Sequence, residues 1–146
     1  MHVPSRMRGR VLIPILILSC TLLDAAAAPA DWATADNGQD INWQDAKTYC
    51  ARKGSGWRLP TLDELRGLHA DAVRAKQGAA CGDTTCQAPP RLRLSAPWLW
   101  SSTPVTQDQA RDFDELAWGL TLVNGRPTMN LQFFAYGARA LCVRGL

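Results

Sequence analysis

Histidine is almost missing from this chain: His2 and His69 are the two imidazoles in 146 residues. No C-x-x-C pair occurs either, so zinc ligation by the cysteines has no pattern behind it. Glycine-rich phosphate loops, Rossmann and Walker patterns, the metalloprotease helix and the nucleophile elbow are all absent. Ser101 and Ser102 are therefore not read as nucleophiles, and His69 is expected as a solvated helix histidine. Charge of one sign is scarce as well. Lys plus Arg number 16 against 13 Asp plus Glu, a net +3, which excludes a highly basic nucleic-acid binder and an acidic solvating tail. There is no internal repeat or heptad run. What remains is an ordinary globular balance, 47% hydrophobic and 20% charged, in a length that makes one domain and not two.

Residues 1–30 read as a leader. Arg6, Arg8 and Arg10 give a positive start, and Val11 to Leu18 is apolar except for Pro14. Asp24, the alanine tract Ala25 to Ala28 and Pro29-Ala30 follow, which is the order of a secretory signal peptide. The apolar run falls short of the ~20 residues that span a bilayer. Ala28-Pro29-Ala30 fits a small-x-small cleavage site with Asp31 as the mature start, and cleavage inside the alanine tract is the alternative. Ile17-Leu18-Ser19-Cys20 also loosely matches a bacterial lipobox, in which Cys20 becomes the lipidated first residue. Either reading places a single domain, residues 31–146, in the periplasm or outside the cell. The leader carries three of the basic groups and one acidic group, so the domain is close to neutral. It has no field to steer it toward nucleic acid or an anionic membrane, and its contact with membrane is limited to the leader or a lipid on Cys20.

Beyond Cys20 stand Cys50, Cys81, Cys86 and Cys142. An even set in an exported domain reads as a disulfide framework, with three connectivities open. The simplest pairs Cys81 with Cys86 inside one loop and leaves Cys50 with Cys142. That long bridge would close about ninety residues and stabilise by roughly 4–5 kcal/mol in the chain-entropy description.

Local signals order the elements. Asp31 to Ile41 is a lead-in with Trp32 as anchor and a turn at Asp36-Asn37-Gly38. Asn42 caps a helix in which Trp43, Ala46 and Cys50 share one face with Tyr49 beside them, and Gly54 stops it. Pro60 keeps Leu59 extended. Thr61 and Glu64 then form a capping box that opens a second helix, whose apolar stripe is Leu62, Leu65, Leu68, Ala72 and Val73. Gln77 to Pro97 is the least regular stretch. Trp98 to Ser102 reads as a strand and Thr103 to Asp114 as a polar loop. Leu116 to Val123 and Arg126 to Leu131 read as a hairpin across a two-residue Asn124-Gly125 turn, and Ala138 to Arg144 as a last strand. Two helices followed by strands make an α+β arrangement, the helices packed on a small curved antiparallel sheet.

Four motifs in this order carry a resemblance. They are Asn42-Trp43-x-x-Ala46-x-x-Tyr49-Cys50, Gly56-Trp57-Arg58-Leu59-Pro60-Thr61-x-x-Glu64-Leu65, Trp100-Ser101-Ser102-Thr103 and Cys142-Val143-Arg144. Over residues 39–146 the chain resembles the Lcl C-terminal domain family, bacterial domains of unknown function named after a collagen-like adhesin. The resemblance implies a C-type-lectin-like fold, distantly similar to formylglycine-generating enzymes. In such folds a helix cysteine bridges to the last strand, which agrees with Cys50 and Cys142. Calcium-dependent lectins use E-P-N or Q-P-D together with W-N-D, and the chain contains none of these.

The candidate site residues follow. Arg58 is expected partly buried in a structural ion pair with Glu64. Asp112 and Asp114 belong to the most acidic stretch. Trp98 and Trp100 alternate on one strand, and Phe134 and Tyr136 lie near the end of the chain. Exposed aromatics of this kind serve glycan platforms and protein hot spots. The expected role is a non-enzymatic, cofactor-free binding module that presents Gln77–Asp114 and Phe133–Tyr136 to a glycan or an envelope protein. The alternatives are a periplasmic inhibitor or immunity-type protein and, more remotely, a formylglycine-type enzyme.

Overall fold

The computed structural model describes residues 31–110 and 115–145. The leader, its cleavage site and Cys20 lie outside the described residues, as do Asp112 and Asp114.

Helix α1 (Trp43–Ala51) starts where Asn42 stops being helical: its side chain accepts from the Asp45 N–H at 2.9 Å. Ala46 and Cys50 are buried on its inner face, with Trp43 and Tyr49 packed against the core. Helix α2 (Leu62–Arg74) opens with the full capping box: Thr61 accepts from Glu64 N–H at 3.2 Å, and Glu64 accepts from Thr61 N–H at 2.8 Å. Leu62, Leu65, Leu68 and Ala72 bury their side chains. Val73 does not join this stripe and stands exposed. It lies one residue, about 100° of helix rotation, beyond Ala72.

The strands are short and fall into three sheets. In the first, β9 (Val143–Arg144) lies between β1 (Asp31–Trp32) and β2 (Trp57–Arg58), antiparallel to both. The second is a hairpin of β3 (Ala79–Cys81) and β4 (Thr84–Cys86). The third runs β7 (Arg126–Leu131), β6 (Leu116–Thr121), β5 (Trp98–Pro104), β8 (Ala138–Arg139), and the β5–β8 pair is parallel. The architecture is α+β, and its largest sheet is mixed rather than wholly antiparallel.

Several local expectations change. The last strand divides into β8 and β9, which serve different sheets, because Ala140 to Cys142 cross the core between them fully buried. The β6–β7 connection has four residues, Leu122 to Gly125, and not two. Leu122 is drawn into the core, where its N–H donates to Pro97 O at 2.9 Å and its carbonyl accepts from Gln87 N at 2.8 Å. Those bonds pull it out of the ladder, so the turn closes from Gly125 N to Thr121 O. Thr103 to Asp114 contributes the end of β5 and a short helix α3 (Gln107–Ala110). Gln77 to Pro97 is not a free loop either: Ala88, Leu92, Leu94 and Ala96 are buried.

Two faces of the large sheet are covered. Leu99 and Leu120 are cross-strand partners on the face that meets α2. On the other face the Trp98 ring stands edge-on to Trp100, with centroids 4.6 Å apart, and lies against Gly119. Disulfides join Cys50 to Cys142, 92 residues apart, and Cys81 to Cys86, 5 apart. A polar clamp ties the lead-in down. The buried Asp36 carboxylate accepts from Ser95 N–H at 2.7 Å, and Ser95 Oγ in turn accepts from Arg139 Nε at 2.7 Å.

Two outcomes follow. Replacing Cys50 and Cys142 by serine should cost roughly 4–5 kcal/mol in denaturant unfolding, against about 2 kcal/mol for Cys81 and Cys86. Equal costs would contradict the unequal loops. Gly119→Ala should lower stability by about 3 kcal/mol, because a Cβ there meets the Trp98 ring and, at 2.6 Å, the Leu99 carbonyl. A thermal melt checks it.

Candidate functional site

The motif residues turn out to hold the chain together. Arg58 grips Glu64 with both guanidinium nitrogens, at 2.7 and 3.1 Å, while the same nitrogen that makes the shorter bond donates to Leu59 O at 3.2 Å. The pair is more exposed than expected: the Arg58 side chain keeps 45% of its accessible surface. Its hydrogen bonds hold the Glu64 carboxyl below the ordinary carboxylate value, against partial burial, and hold the Arg58 guanidinium above its own. Arg144 bonds Asp31 at 2.6 Å and lies over the Trp57 ring, fixing β1 and β2 to β9.

Trp100-Ser101-Ser102-Thr103 does something different. The pairing of β5 with β6 shifts register between Trp100 and Pro104, which is a bulge. Ser101, buried, donates its hydroxyl to Trp118 O at 2.6 Å and accepts from Thr103 N–H at 3.2 Å. Ser102 N–H turns to Pro60 O at 2.7 Å, and Thr103 Oγ1 accepts from Leu62 N–H at 3.1 Å. The hydroxyls thus replace ladder bonds and bend the end of β5 onto the start of α2. Between them opens a cleft of ≈370 Å³ beside Trp118, lined also by Asp63, Arg66, Thr103 and Gln109.

The predicted aromatic residues separate into two groups. Trp100 is fully buried, and its Nε1 donates to Ile41 O at 2.8 Å, so it is a core residue and not a ligand platform. Trp98 is half-buried and engaged: its Nε1 donates to Thr128 Oγ1 at 2.7 Å. Alternation did place both on one face, but that face is covered. Phe134 and Tyr136 stand exposed at 38% and 81%, and Phe133 at 70%. They occupy the connection after β7, anchored by Gln132 N–H to Glu115 O at 2.8 Å and by Gly137 N–H to Asp40 at 3.0 Å. Because β5, β6 and β7 are antiparallel neighbours, this connection starts at the end of the sheet that holds the β5–β6 connection and the cleft, and it returns along the sheet to β8, whose Ala138 pairs with Trp98 at the opposite end.

The β7 edge itself offers little to an added strand. Gln132 N–H points inward to Glu115, so Met129 and Leu131 face away with Pro127. Pro127 has no N–H, and the Leu131 N–H is taken by Asn130 Oδ1 at 2.9 Å. His69 is not the solvated residue expected. Its ring packs beneath Gly125, where a Cβ would come within 2.5 Å of Nδ1, and its buried Nε2 has no partner among the described residues. Among the described residues no three His, Cys, Asp or Glu gather as a metal site, and no helix is long and apolar enough to cross a membrane. The two disulfides suit an oxidising compartment.

The sequence reading did not single out Trp118, Asp63, Arg66 or Gln109, which line the cleft. The Ser-Ser-Thr run after Trp100 was the available signal, since clustered hydroxyls on a strand invite a bulge. No protein-family model matches the chain, and no curated protein matches its sequence.

Glu64 has a depressed value in the folded protein, so its contribution is fully present above the ordinary value of 4.5 and fades as the pH falls through the folded one. Glu64→Gln should flatten the loss of stability below that pH. Glu64→Ala should cost about 1 kcal/mol near neutrality through the lost cap. Melts recorded from pH 7 to pH 3 measure both, and an unchanged acid slope in Glu64→Gln would exclude the pair as its source.

Proposed function

We propose that the chain is an exported, non-enzymatic binding module, of C-type-lectin-like architecture and related to the Lcl C-terminal domains. It binds a glycan or an envelope protein through the connection from β7 to β8 that carries Phe133, Phe134 and Tyr136. The observation behind this reading is the exposure of three large aromatic side chains in one loop, while Trp100 is buried and Trp98 is half-buried and bonded. Such side chains lose little conformational freedom on binding and desolvate a large area, which is why they dominate recognition surfaces. The loop is tied at both ends by backbone hydrogen bonds, so it presents them on a fixed frame. Cys50, Cys81, Cys86 and Cys142 are all used in bridges, which favours a structural role over a formylglycine-type cysteine. A periplasmic or extracellular location accords with those bridges.

The test is capture by the immobilised, oxidised protein from envelope extract and from a soluble polysaccharide fraction. A ligand should be retained by the wild type and lost at least about tenfold with Phe133→Ser/Tyr136→Ser, at unchanged melting temperature. Undiminished capture by that variant would remove the loop from the binding surface. A single stoichiometric protein in place of polysaccharide would turn the reading toward an inhibitor.

A further inference from the structure

The cleft beside Trp118 is chemically unlike the aromatic loop. At ≈370 Å³ it sits near the lower end of ligand pockets, ~300–1,000 Å³, which suits a small cyclic unit and not an extended peptide. Trp118 is half-buried at the cleft, and its Nε1, like those of Trp32 and Trp57, has no acceptor among the described residues, so one side of the ring and its N–H are open to a ligand. Around it the polar groups are of mixed kind. Asp63 accepts only. Thr103 already accepts from Leu62 N–H and keeps its own O–H to donate. Gln109 accepts from Thr106 N–H through Oε1 and keeps its amide N–H groups. The charge is internally cancelled, because Arg66 bonds Asp63 at 2.9 Å. At the start of α2 the Leu62 and Glu64 N–H groups are taken up by Thr103 and Thr61, and the Asp63 carboxylate at the rim disfavours an anion.

A neutral ligand with an apolar face and a rim of hydroxyls, each both donor and acceptor, is what this set matches. We propose that the cleft is a carbohydrate subsite, in which Trp118 takes the C–H face of one neutral sugar ring while Asp63, Thr103 and Gln109 bond its hydroxyls. This rests on the binding-module reading and narrows its ligand to a glycan, and the site is separate from the aromatic loop. The Ser101 and Thr103 hydroxyls that bend β5 are positioning residues here, since without the bulge the strand would continue along β6 and leave no cleft.

The chain, expressed with its own leader and purified oxidised, is labelled at its backbone and indole nitrogens and titrated with glucose, galactose, N-acetylglucosamine and N-acetylgalactosamine. At least one sugar should shift the Trp118 indole resonance saturably. Asp63→Asn and Gln109→Ala, both surface changes, should each weaken that binding several-fold. Trp118→Ala should weaken it at least about tenfold. Trp118→Phe guards against a folding defect by keeping an aromatic platform, and should retain most of the affinity. Val73→Ala, at the far end of α2, should leave binding unchanged. If no sugar moves the Trp118 resonance at millimolar concentration, the subsite is overturned. If sugars instead perturb only Phe133 to Tyr136, the cleft is excluded while the glycan reading stands. If neither responds and a protein is captured through the loop, the subsite falls together with the glycan reading.

Discussion

The bond between Cys50 and Cys142 is the constraint on which the rest of the structure leans. Strand β9 has only two residues, and so do both of its partners, β1 and β2. Strands this short do not hold a sheet by themselves. Fixing Cys142 to the last turn of α1 holds β9 beside them. It also seals Ala140 and Leu141 into the core. The lead-in then closes over them, through Asn37 N–H to Ala140 O at 3.1 Å and the Asp36–Ser95–Arg139 clamp. With strands this brief, the staple and the polar clamp add to what the buried apolar core supplies.

The four motifs of the sequence divide by what they do. Trp57-Arg58-Leu59-Pro60-Thr61 with Glu64 makes a cap and an ion pair, and Cys142-Val143-Arg144 makes a bridge and a brace. These residues hold the frame and leave no reactive group free. Trp100-Ser101-Ser102-Thr103 belongs to the frame as well, yet its bulge has a by-product: it tips β5 toward α2 and exposes one side of Trp118. Rigid elements therefore deliver two unlike surfaces, a polar cleft at one end of the sheet and an aromatic connection that starts there and runs back to β8. Binding residues held in this way need little reordering when a ligand arrives.

Legibility in the sequence follows the range of the forces involved. Both helices, their caps and the cysteine pairing were readable, since capping, amphipathic spacing and loop closure act over a few residues or depend on counting alone. Strands were readable at 98–102, from the alternating tryptophans, and at 116–123 and 126–131 on either side of the Asn124-Gly125 signal, with the ends at 104 and 121 set by the fold. The turn length was not, because Leu122 answers to Pro97 and Gln87 rather than to its neighbours. Trp98 and Trp100 were placed correctly on one face, but periodicity shows which residues share a face and not what covers it.

Sequence alone thus determined the α+β class, the two helix starts, the disulfide framework and the near-neutral charge, each set by local stereochemistry or by composition. The structure adds β1 ahead of the helices, β2 between them and α3 after β5. The tertiary structure decided which aromatics are buried, that Ala138 to Arg144 serves two sheets, that His69 lies under a turn, and that a cleft opens beside Trp118. Each of these depends on contacts between residues far apart in the chain, whose geometry exists only once the bulge, the staple and the core are all in place.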